Sequence, residues 1–362
     1  MRLVATTSVE AETILAKAIY NEKGQILLNE GIMLKDVMIQ RLQDLGISYI
    51  FIKEEGTEDI EYKGTLSDPM RREAIQTISA TFQEIQNDPQ LTSSFVVERA
   101  SKRFSELIRY LLSEIKGKSE LLNLLSEAYT YDNYIFTHSL NVTLYALAIG
   151  MELKLTSKEL EILGLGALFH DIGKLKVPLD ILLKPERLTD NEFESIKQHA
   201  EEGFQILRKV HTIPLLVAHC AYQHHERING TGYPRGLQGS DIHYFGKIIA
   251  VADVFDAVTS NRVYRRAMLP SEGVEILYAG SGTLFDQKVV EAFRFAVAIY
   301  PVGVSVVLND GRKGIVSGQN TGLGDRPRIR IMEHNGERGI PYEIDLKQDL
   351  NVVIIGCDTT SK

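Results

Sequence analysis

Five histidines and two aspartates follow one another along the middle of this chain, on the apolar faces of predicted helices. Offsets of three and four residues place His170 on the same helical face as Leu163 and Ala167. The same spacing places His199 on an apolar stripe of another helix. Because buried imidazoles and carboxylates are costly unless they are paired or bind a metal, the fold must bring these groups together. They are His138, His170, Asp171, His199, His224, His225 and Asp253.

This donor series predicts a metal site. A single histidine on an apolar face is more often a hydrogen-bonded core residue, but seven inward donors on separate helices are hard to explain in that way. One ion normally takes fewer protein ligands than seven, so we expect two divalent ions. Asp171, next to a ligand histidine, is a natural bridge between them. Mixed nitrogen and oxygen donors suit iron or manganese at least as well as zinc.

The charge, the apolar runs and the cysteines of the chain restrict its possible partners and location. The net charge of −8 argues against binding to a nucleic-acid polymer, so an anionic substrate needs a local basic patch or a metal. No apolar run approaches the roughly 18 residues that indicate a membrane span. The two cysteines, Cys220 and Cys357, lack a CxxC spacing, which favours a reducing compartment. We therefore expect a cytoplasmic protein without a membrane span.

The stretch ahead of the helical middle has a different pattern. Residues 1–60 predict a small α/β module of regulatory role, with a hairpin around Asn21–Gly24 and a strand at SYIFI. Residues 34–45 have helical spacing, and Gly46 is the expected stop. The module contains no cluster of metal-ligand residues, so we expect no metal ligand from it.

Residues 66–117 predict helices that connect this module to the donor series or form a dimer. Their large apolar residues fit packing or dimer contacts better than a ligand pocket. These residues are Phe82, Ile85, Phe95, Phe104, Leu107, Leu111 and Ile115.

The donor series itself lies in a predicted helical domain over residues 118–300, and the pattern changes again after it. Residues 301–362 predict a small β unit with hairpins around Asp310–Gly311 and Asn335–Gly336 and a last strand at NVVII. The predicted fold class is thus mostly α, with an all-helical core, an N-terminal α/β module and a C-terminal β unit.

Two motifs identify a family resemblance. HDIGK at 170–174 and HHERINGTGYP at 224–234 resemble the HD-GYP family of cyclic di-GMP phosphodiesterases. The first motif alone marks the wider HD phosphohydrolase superfamily, whereas the second is far more specific. DVFDAVTSNRVYRR at 253–266 completes the pattern, and the resemblance covers roughly residues 125–300.

The resemblance implies a role for each matching residue. The first metal would be held by His138, His170, Asp171 and Asp253, and the second by His199, His224 and His225 with Asp171 as bridge. Lys174 would contact the scissile phosphate. The other expected substrate contacts are Arg262, Arg265 and Asp132. The signature loop, linked in the family to partner recognition, comprises Gly230, Gly232, Tyr233 and Pro234.

Two further residues lie close in sequence to the predicted ligands. Asp256 shares a helical face with Asp253, and it is either a partner of a ligand or part of a structural pair. Tyr134 stands four residues before His138, where family members with three metals carry a glutamate. A neutral phenol is a poor ligand for a divalent cation, so a third metal is not expected.

The implied reaction is hydrolysis of cyclic di-GMP to linear pGpG, GMP or both, through a hydroxide that bridges the two metals. Two alternatives stay open: an HD phosphohydrolase for another nucleotide, and a catalytically weak module that senses a cyclic dinucleotide. The resemblance also implies a diguanylate cyclase as a partner of the GYP loop. A homodimer is a further expectation.

Overall fold

The computed structural model describes residues 1–20, 26–61, 64–88, 94–116, 134–182, 184, 186, 188–260 and 268–360. Within these residues the chain is mostly helical, with two two-stranded sheets and one five-stranded sheet. The predicted fold class is therefore confirmed. None of the described helices combines the length and the apolar character that crossing a membrane requires.

The N-terminal module contains two antiparallel strand pairs and one helix. Strand β1 (Arg2–Ala5) pairs with β4 (Tyr49–Ile52), and β2 (Ile19–Tyr20) pairs with β3 (Ile26–Leu28). The predicted hairpin is thus present as a strand pair, while its turn at 21–25 lies outside the described residues. Helix α1 (Asp36–Asp44) ends just before Gly46, whose φ of +73° favours glycine.

The helical part of the chain is built around one hydrophobic core that includes residues from Leu66 to Ile299. Its helices are α2 (Asp68–Gln86), α3 (Ser94–Ile115), α4 (Tyr134–Glu152), α5 (Ser157–Phe169), α6 (Leu179–Leu182), α7 (Asp190–Leu207), α8 (Leu215–Gln223), α9 (Tyr244–Thr259), α10 (Pro270–Gly280) and α11 (Gln287–Ala296). Capping boxes begin α5 at Thr156 and α7 at Thr189, where Glu159 and Glu192 complete them. These two caps set the start of two helices that position metal-site donors.

Helices α2 and α3 share this core with the donor-bearing helices. The Phe104 ring of α3 lies 4.8 Å from the Phe169 ring of α5 and 5.7 Å from the Phe82 ring of α2, centroid to centroid. All but one of the seven apolar residues proposed for packing or dimer contacts are buried within the chain. The exception is Phe95, which is 70% exposed. The connecting segment is therefore part of the helical body.

The C-terminal unit is a five-stranded antiparallel sheet of strand order β8-β7-β6-β5-β9. Its strands are β5 (Ser305–Leu308), β6 (Arg312–Gly318), β7 (Arg328–His334), β8 (Glu337–Asp345) and β9 (Ile354–Asp358). Both predicted hairpins are present, and the left-handed Asn335 and Gly336 form the turn between β7 and β8. The last strand begins three residues later than the start of NVVII, because Val352 and Val353 bond back to Asp349 and Asn309.

The two flanking units pack against each other. Leu3, Phe51 and Ile60 lie in one hydrophobic cluster with residues of the C-terminal sheet. The buried Arg2 side chain donates from Nε to Ser305 Oγ at 2.9 Å and from Nη2 to the Thr360 carbonyl at 2.6 Å. The N-terminal module therefore covers apolar surface of the sheet at the other end of the chain.

The shared core leads to a stability prediction. Replacing the fully buried Phe104 by alanine should lower the free energy of unfolding by about 3–5 kcal/mol, because its ring contacts helices on both sides. The matched control on the same helix is Phe95→Ala, which should change it by about 0.5 kcal/mol or less because Phe95 is exposed. Chemical unfolding followed by helical circular dichroism measures both. Equal losses in the two variants would contradict the packing of α3 described above.

Candidate metal centre

The donors predicted from the sequence converge in the interior of the helical body. Two groups of ligand atoms form, each with all its atoms within 4.8 Å of one another. The first group comprises His138, His170 and Asp171, and the second comprises Asp171, His199, His224 and His225. Asp171 belongs to both groups. Six of the seven predicted donors thus lie in two clusters that share one carboxylate.

The two oxygens of Asp171 face different histidines. Its Oδ2 atom lies 3.3 Å from His170 Nε2 and 3.7 Å from His138 Nε2. Its Oδ1 atom lies 3.4 Å from His199 Nε2 and 3.8 Å from His224 Nε2. This is the arrangement that a carboxylate shared by two neighbouring cations requires.

The seventh donor, Asp253 of α9, also lies between the two groups. Its Oδ1 atom is 3.2 Å from His138 Nε2, and its Oδ2 atom is 3.7 Å from His225 Nδ1. The resemblance assigned Asp253 to the first site alone. The geometry brings it close to one histidine of each group.

The imidazole rings are held by hydrogen bonds at their far nitrogens. The Nδ1 atoms of His170, His199 and His224 donate to the carbonyls three residues earlier in the chain, at 2.6–2.9 Å. Because a carbonyl only accepts, each of these bonds places a proton on Nδ1, so that in the neutral ring the lone pair is on Nε2, which faces Asp171. His138 is held differently, since its Nδ1 bonds to Asp256 Oδ2 at 2.7 Å. Asp256 is therefore the partner of one of the histidines predicted to be ligands.

The HD motif at 170–174 does not lie within one helix. Helix α5 ends at Phe169, and a 3₁₀ turn over Ile172–Lys176 follows Asp171. The reason lies at Gly173, where a Cβ atom would collide with the carbonyl oxygen of His199. The turn thus packs directly on the backbone of α7, which brings Asp171 next to His199.

The signature loop closes over the histidine pair at the end of α8. The Tyr233 ring stacks on His225 with centroids 4.6 Å apart, and the Tyr233 amide donates to the His225 carbonyl at 3.2 Å. A Cβ atom at Gly232 would collide with the backbone of residues 225–227, so only glycine fits there. Gly230 has a φ of +83°, and Pro234, after a cis peptide bond, is exposed.

The buried carboxylate of Glu226 holds the far side of this loop. It accepts from the backbone amides of Arg235 at 2.8 Å and Leu237 at 2.9 Å. No role for Glu226 was predicted from the sequence, although its place directly after the two histidines was an available signal. Asn141 was also missed; it lies one helical turn after His138 and donates to Asp256 Oδ1 at 2.8 Å.

Burial and neighbouring charges shift the pKa values of these donor groups. Burial acts to raise the pKa of the Asp171 carboxyl, but the neighbouring Lys174 ammonium opposes it, and this pKa lies well below its usual range. Burial lowers the pKa of His224 and of His225 well below the ordinary value, so both rings are neutral. At His138 burial is outweighed by the bonds to Asp253 and Asp256, which raise the pKa to about 9.

Two buried atoms at the centre fit a metal in particular. His170 Nε2 and Asp171 Oδ1 make no hydrogen bond within the described part of the chain. Native proteins rarely leave such buried atoms unsatisfied. Neutral imidazoles and ionised carboxylates are also the protonation states that metal binding requires. The residues present therefore fit divalent cations.

Lys174 lies at the edge of the donor cluster. Its Nζ atom donates to Asp171 Oδ2 at 2.5 Å, and its side chain is partly exposed. Asp132, Arg262 and Arg265, the other expected substrate contacts, lie outside the described residues. Tyr134 begins α4, but its side chain is likewise outside the described part of the chain.

Comparison with known proteins identifies the family of this chain. The family model of the HD domain matches residues 109–289, half of the chain. A cyclic di-GMP phosphodiesterase of Pseudomonas aeruginosa is 37% identical over 227 residues, which cover 63% of this chain and 55% of the relative. A 3′3′-cGAMP-specific phosphodiesterase of Vibrio cholerae is 40% identical over 144 residues, which cover 40% of this chain and 33% of the relative.

Among solved structures, Bd1817, an HDG"Y"P protein from Bdellovibrio bacteriovorus, aligns with 80% of this chain and 97% of its own, with a TM-score of 0.48 and 18% sequence identity. The chain spans about half the length of the Pseudomonas relative and a third of the Vibrio relative. From the family match and the two motifs at its metal-site residues, the chain belongs to the HD domain family and, within it, to the HD-GYP family.

Proposed function

We propose that this protein is a metal-dependent phosphodiesterase that hydrolyses cyclic di-GMP. The observation that carries the proposal is the position of Asp171, whose two carboxylate oxygens face separate histidine groups. Two cations that share a carboxylate are close enough to act on one phosphodiester. The name of the Pseudomonas relative supports cyclic di-GMP as the substrate.

The proposed ligands are the seven donors, with Asp171 shared by both ions. We propose iron or manganese, because histidine and carboxylate together suit these metals. When bound, the two ions supply Lewis-acid activation of a water molecule and of the phosphodiester oxygens. Burial lowers the pKa of His199 and His224, so these two imidazoles offer their Nε2 lone pairs without first losing a proton. His138 differs, since it must release the proton that Asp253 and Asp256 help it retain.

The remaining residues of the site would act on the substrate. The Lys174 ammonium, next to Asp171, is placed to stabilise negative charge on the phosphoryl oxygens as the bond to the leaving oxygen breaks. Tyr233 stacks on the His225 ring and would hold it in place from the side of the signature loop. From the family resemblance, Arg262 and Arg265 are proposed to hold the second phosphate, because a planar guanidinium matches phosphate geometry.

A second substrate, 3′3′-cGAMP, is supported by the name of the Vibrio relative. The two dinucleotides have the same phosphodiester ring and differ in one base. Purified protein loaded with Fe²⁺ or Mn²⁺ under anaerobic conditions would be given each dinucleotide, and the products separated by chromatography. A higher kcat/KM for cyclic di-GMP supports the proposal, and the products pGpG and GMP are distinguished in the same assay. Turnover of neither dinucleotide would favour the sensor alternative.

Two partner proposals also follow. The exposed Pro234 and Arg235 of the signature loop are available to a diguanylate cyclase, the partner that the family resemblance implies. The exposed Phe95 of α3 is available to a second copy of the chain. Mixing with a purified cyclase and light scattering of the protein alone test the two proposals separately.

Replacing the shared carboxylate should remove the metal site. Asp171→Ala takes a ligand from both ions at once, so we expect loss of bound metal and of cyclic di-GMP hydrolysis together. Elemental analysis gives the metal content per chain, and chromatography gives the turnover. Near-normal turnover of Asp171→Ala in metal-replete protein would contradict the two-metal proposal.

Replacing Lys174 should lower the rate of hydrolysis without lowering the metal content. Lys174→Met should lower kcat by about 100- to 1,000-fold because the charge on the phosphoryl oxygens loses its partner. Bound metal should stay near the wild-type amount. The matched control is Lys176→Met in the same turn, whose ammonium pairs with Glu202 at the surface. Metal loss in Lys174→Met, or an equal fall in kcat for Lys176→Met, would contradict this role.

A further inference from the structure

A buried chain of hydrogen bonds connects helix α2 to the metal centre. The guanidinium of Arg71 donates from Nη2 to Asn141 Oδ1 at 2.6 Å. Asn141 Nδ2 donates to Asp256 Oδ1 at 2.8 Å, and Asp256 Oδ2 accepts from His138 Nδ1 at 2.7 Å. All four side chains are at most 4% exposed. Water therefore does not compete for these bonds as it does at a surface.

The hydrogen bonds that connect Arg71 to His138 can be oriented in only one way. A guanidinium only donates and a carboxylate only accepts, so the amide of Asn141 must turn its oxygen to Arg71 and its nitrogen to Asp256. Asp256 is then held by Asn141 and also by Ser260 Oγ at 3.1 Å. With Asp256 fixed, the His138 ring is held by its Nδ1 atom, and its Nε2 atom faces Asp171 and Asp253.

We propose that Arg71 is a positioning residue for the metal ligand His138, and that it acts through Asn141 and Asp256. This inference rests on the proposed function, because it takes His138 to be a ligand. Partners that orient a ligand histidine strengthen metal binding. Arg71 lies ahead of the residues 109–289 matched by the HD domain, so the helix before that domain contributes to the affinity of its metal site. Any movement of α2 relative to α4 would change this affinity.

A second role for Arg71 must be distinguished, since a buried arginine also helps to hold α2 against the core. The neighbouring Arg72 provides a matched control. Its guanidinium lies 5.2 Å from the ring centre of Tyr20 in the N-terminal module, and it has no hydrogen bond to Asn141 among the described contacts. Substitution of Arg72 thus removes a charge from the same turn of α2 without breaking the chain to His138.

The test measures Mn²⁺ binding to the metal-free full-length chain by titration calorimetry. Arg71→Met should weaken binding of one ion by about tenfold or more, whereas Arg72→Met should change it less than about twofold. Asn141→Leu breaks the same chain from α4 and should give a similar loss. It also keeps the test conclusive if Arg71→Met does not fold. Because both act on one path, adding Arg71→Met to Asn141→Leu should cause no further loss. Arg71→Lys, which retains a donor, should recover part of the affinity.

Three results would overturn the inference while leaving the proposed function intact. The first is a lower melting temperature of Arg71→Met with unchanged Mn²⁺ affinity, which would make Arg71 purely structural. The second is an additive loss in the double variant, which would show that Arg71 does not act through Asn141. The third is an equal loss in Arg72→Met. By contrast, absence of Mn²⁺ binding and of turnover in the unsubstituted protein would contradict the proposed function itself.

Discussion

The carboxylate of Asp171 is buried among four imidazoles, and the arrangement of the helical body depends on keeping it there. An ionised carboxylate in an apolar interior is costly unless other charges and hydrogen bonds compensate for it. Here the Lys174 ammonium provides part of that compensation, and the pKa of the carboxyl lies well below its usual range. Helices α4, α5, α7 and α8 must therefore meet at this one point, because each positions one of the surrounding rings.

The donors can lie this close together because the backbone packs tightly at two glycines. Gly173 allows the 3₁₀ turn after Asp171 to pack on the backbone of α7. Gly232 allows the signature loop to pack on the residues after His224. A Cβ atom at either glycine would collide with the backbone against which it packs. The backbone carbonyls of α5, α7 and α8 then orient three of the rings without further side chains. Much of the donor geometry is therefore set by the backbone of these helices.

His138 is the exception, and it connects the site to the rest of the chain. Its ring is oriented by a carboxylate rather than by a carbonyl, and that carboxylate is held from α4 and α9. Through Asn141 the contacts extend to α2, which shares the hydrophobic core of the donor-bearing helices. The flanking units form a separate contact, in which Arg2 reaches Ser305 across 303 residues of sequence.

Local sequence determined the elements and the identity of the donors. Helical spacing and the turn residues Asn335 and Gly336 predicted their elements because each signal acts within a few residues. The seven donors were found because an ionisable side chain on an apolar stripe must be paired or bind a metal once it is buried. Only the tertiary structure decided that α5 ends before Asp171, since the backbone of α7 occupies the space beside Gly173. It alone brought Arg71 to Asn141, 70 residues later in the chain, because no local pattern relates two side chains that meet only when α2 packs on α4.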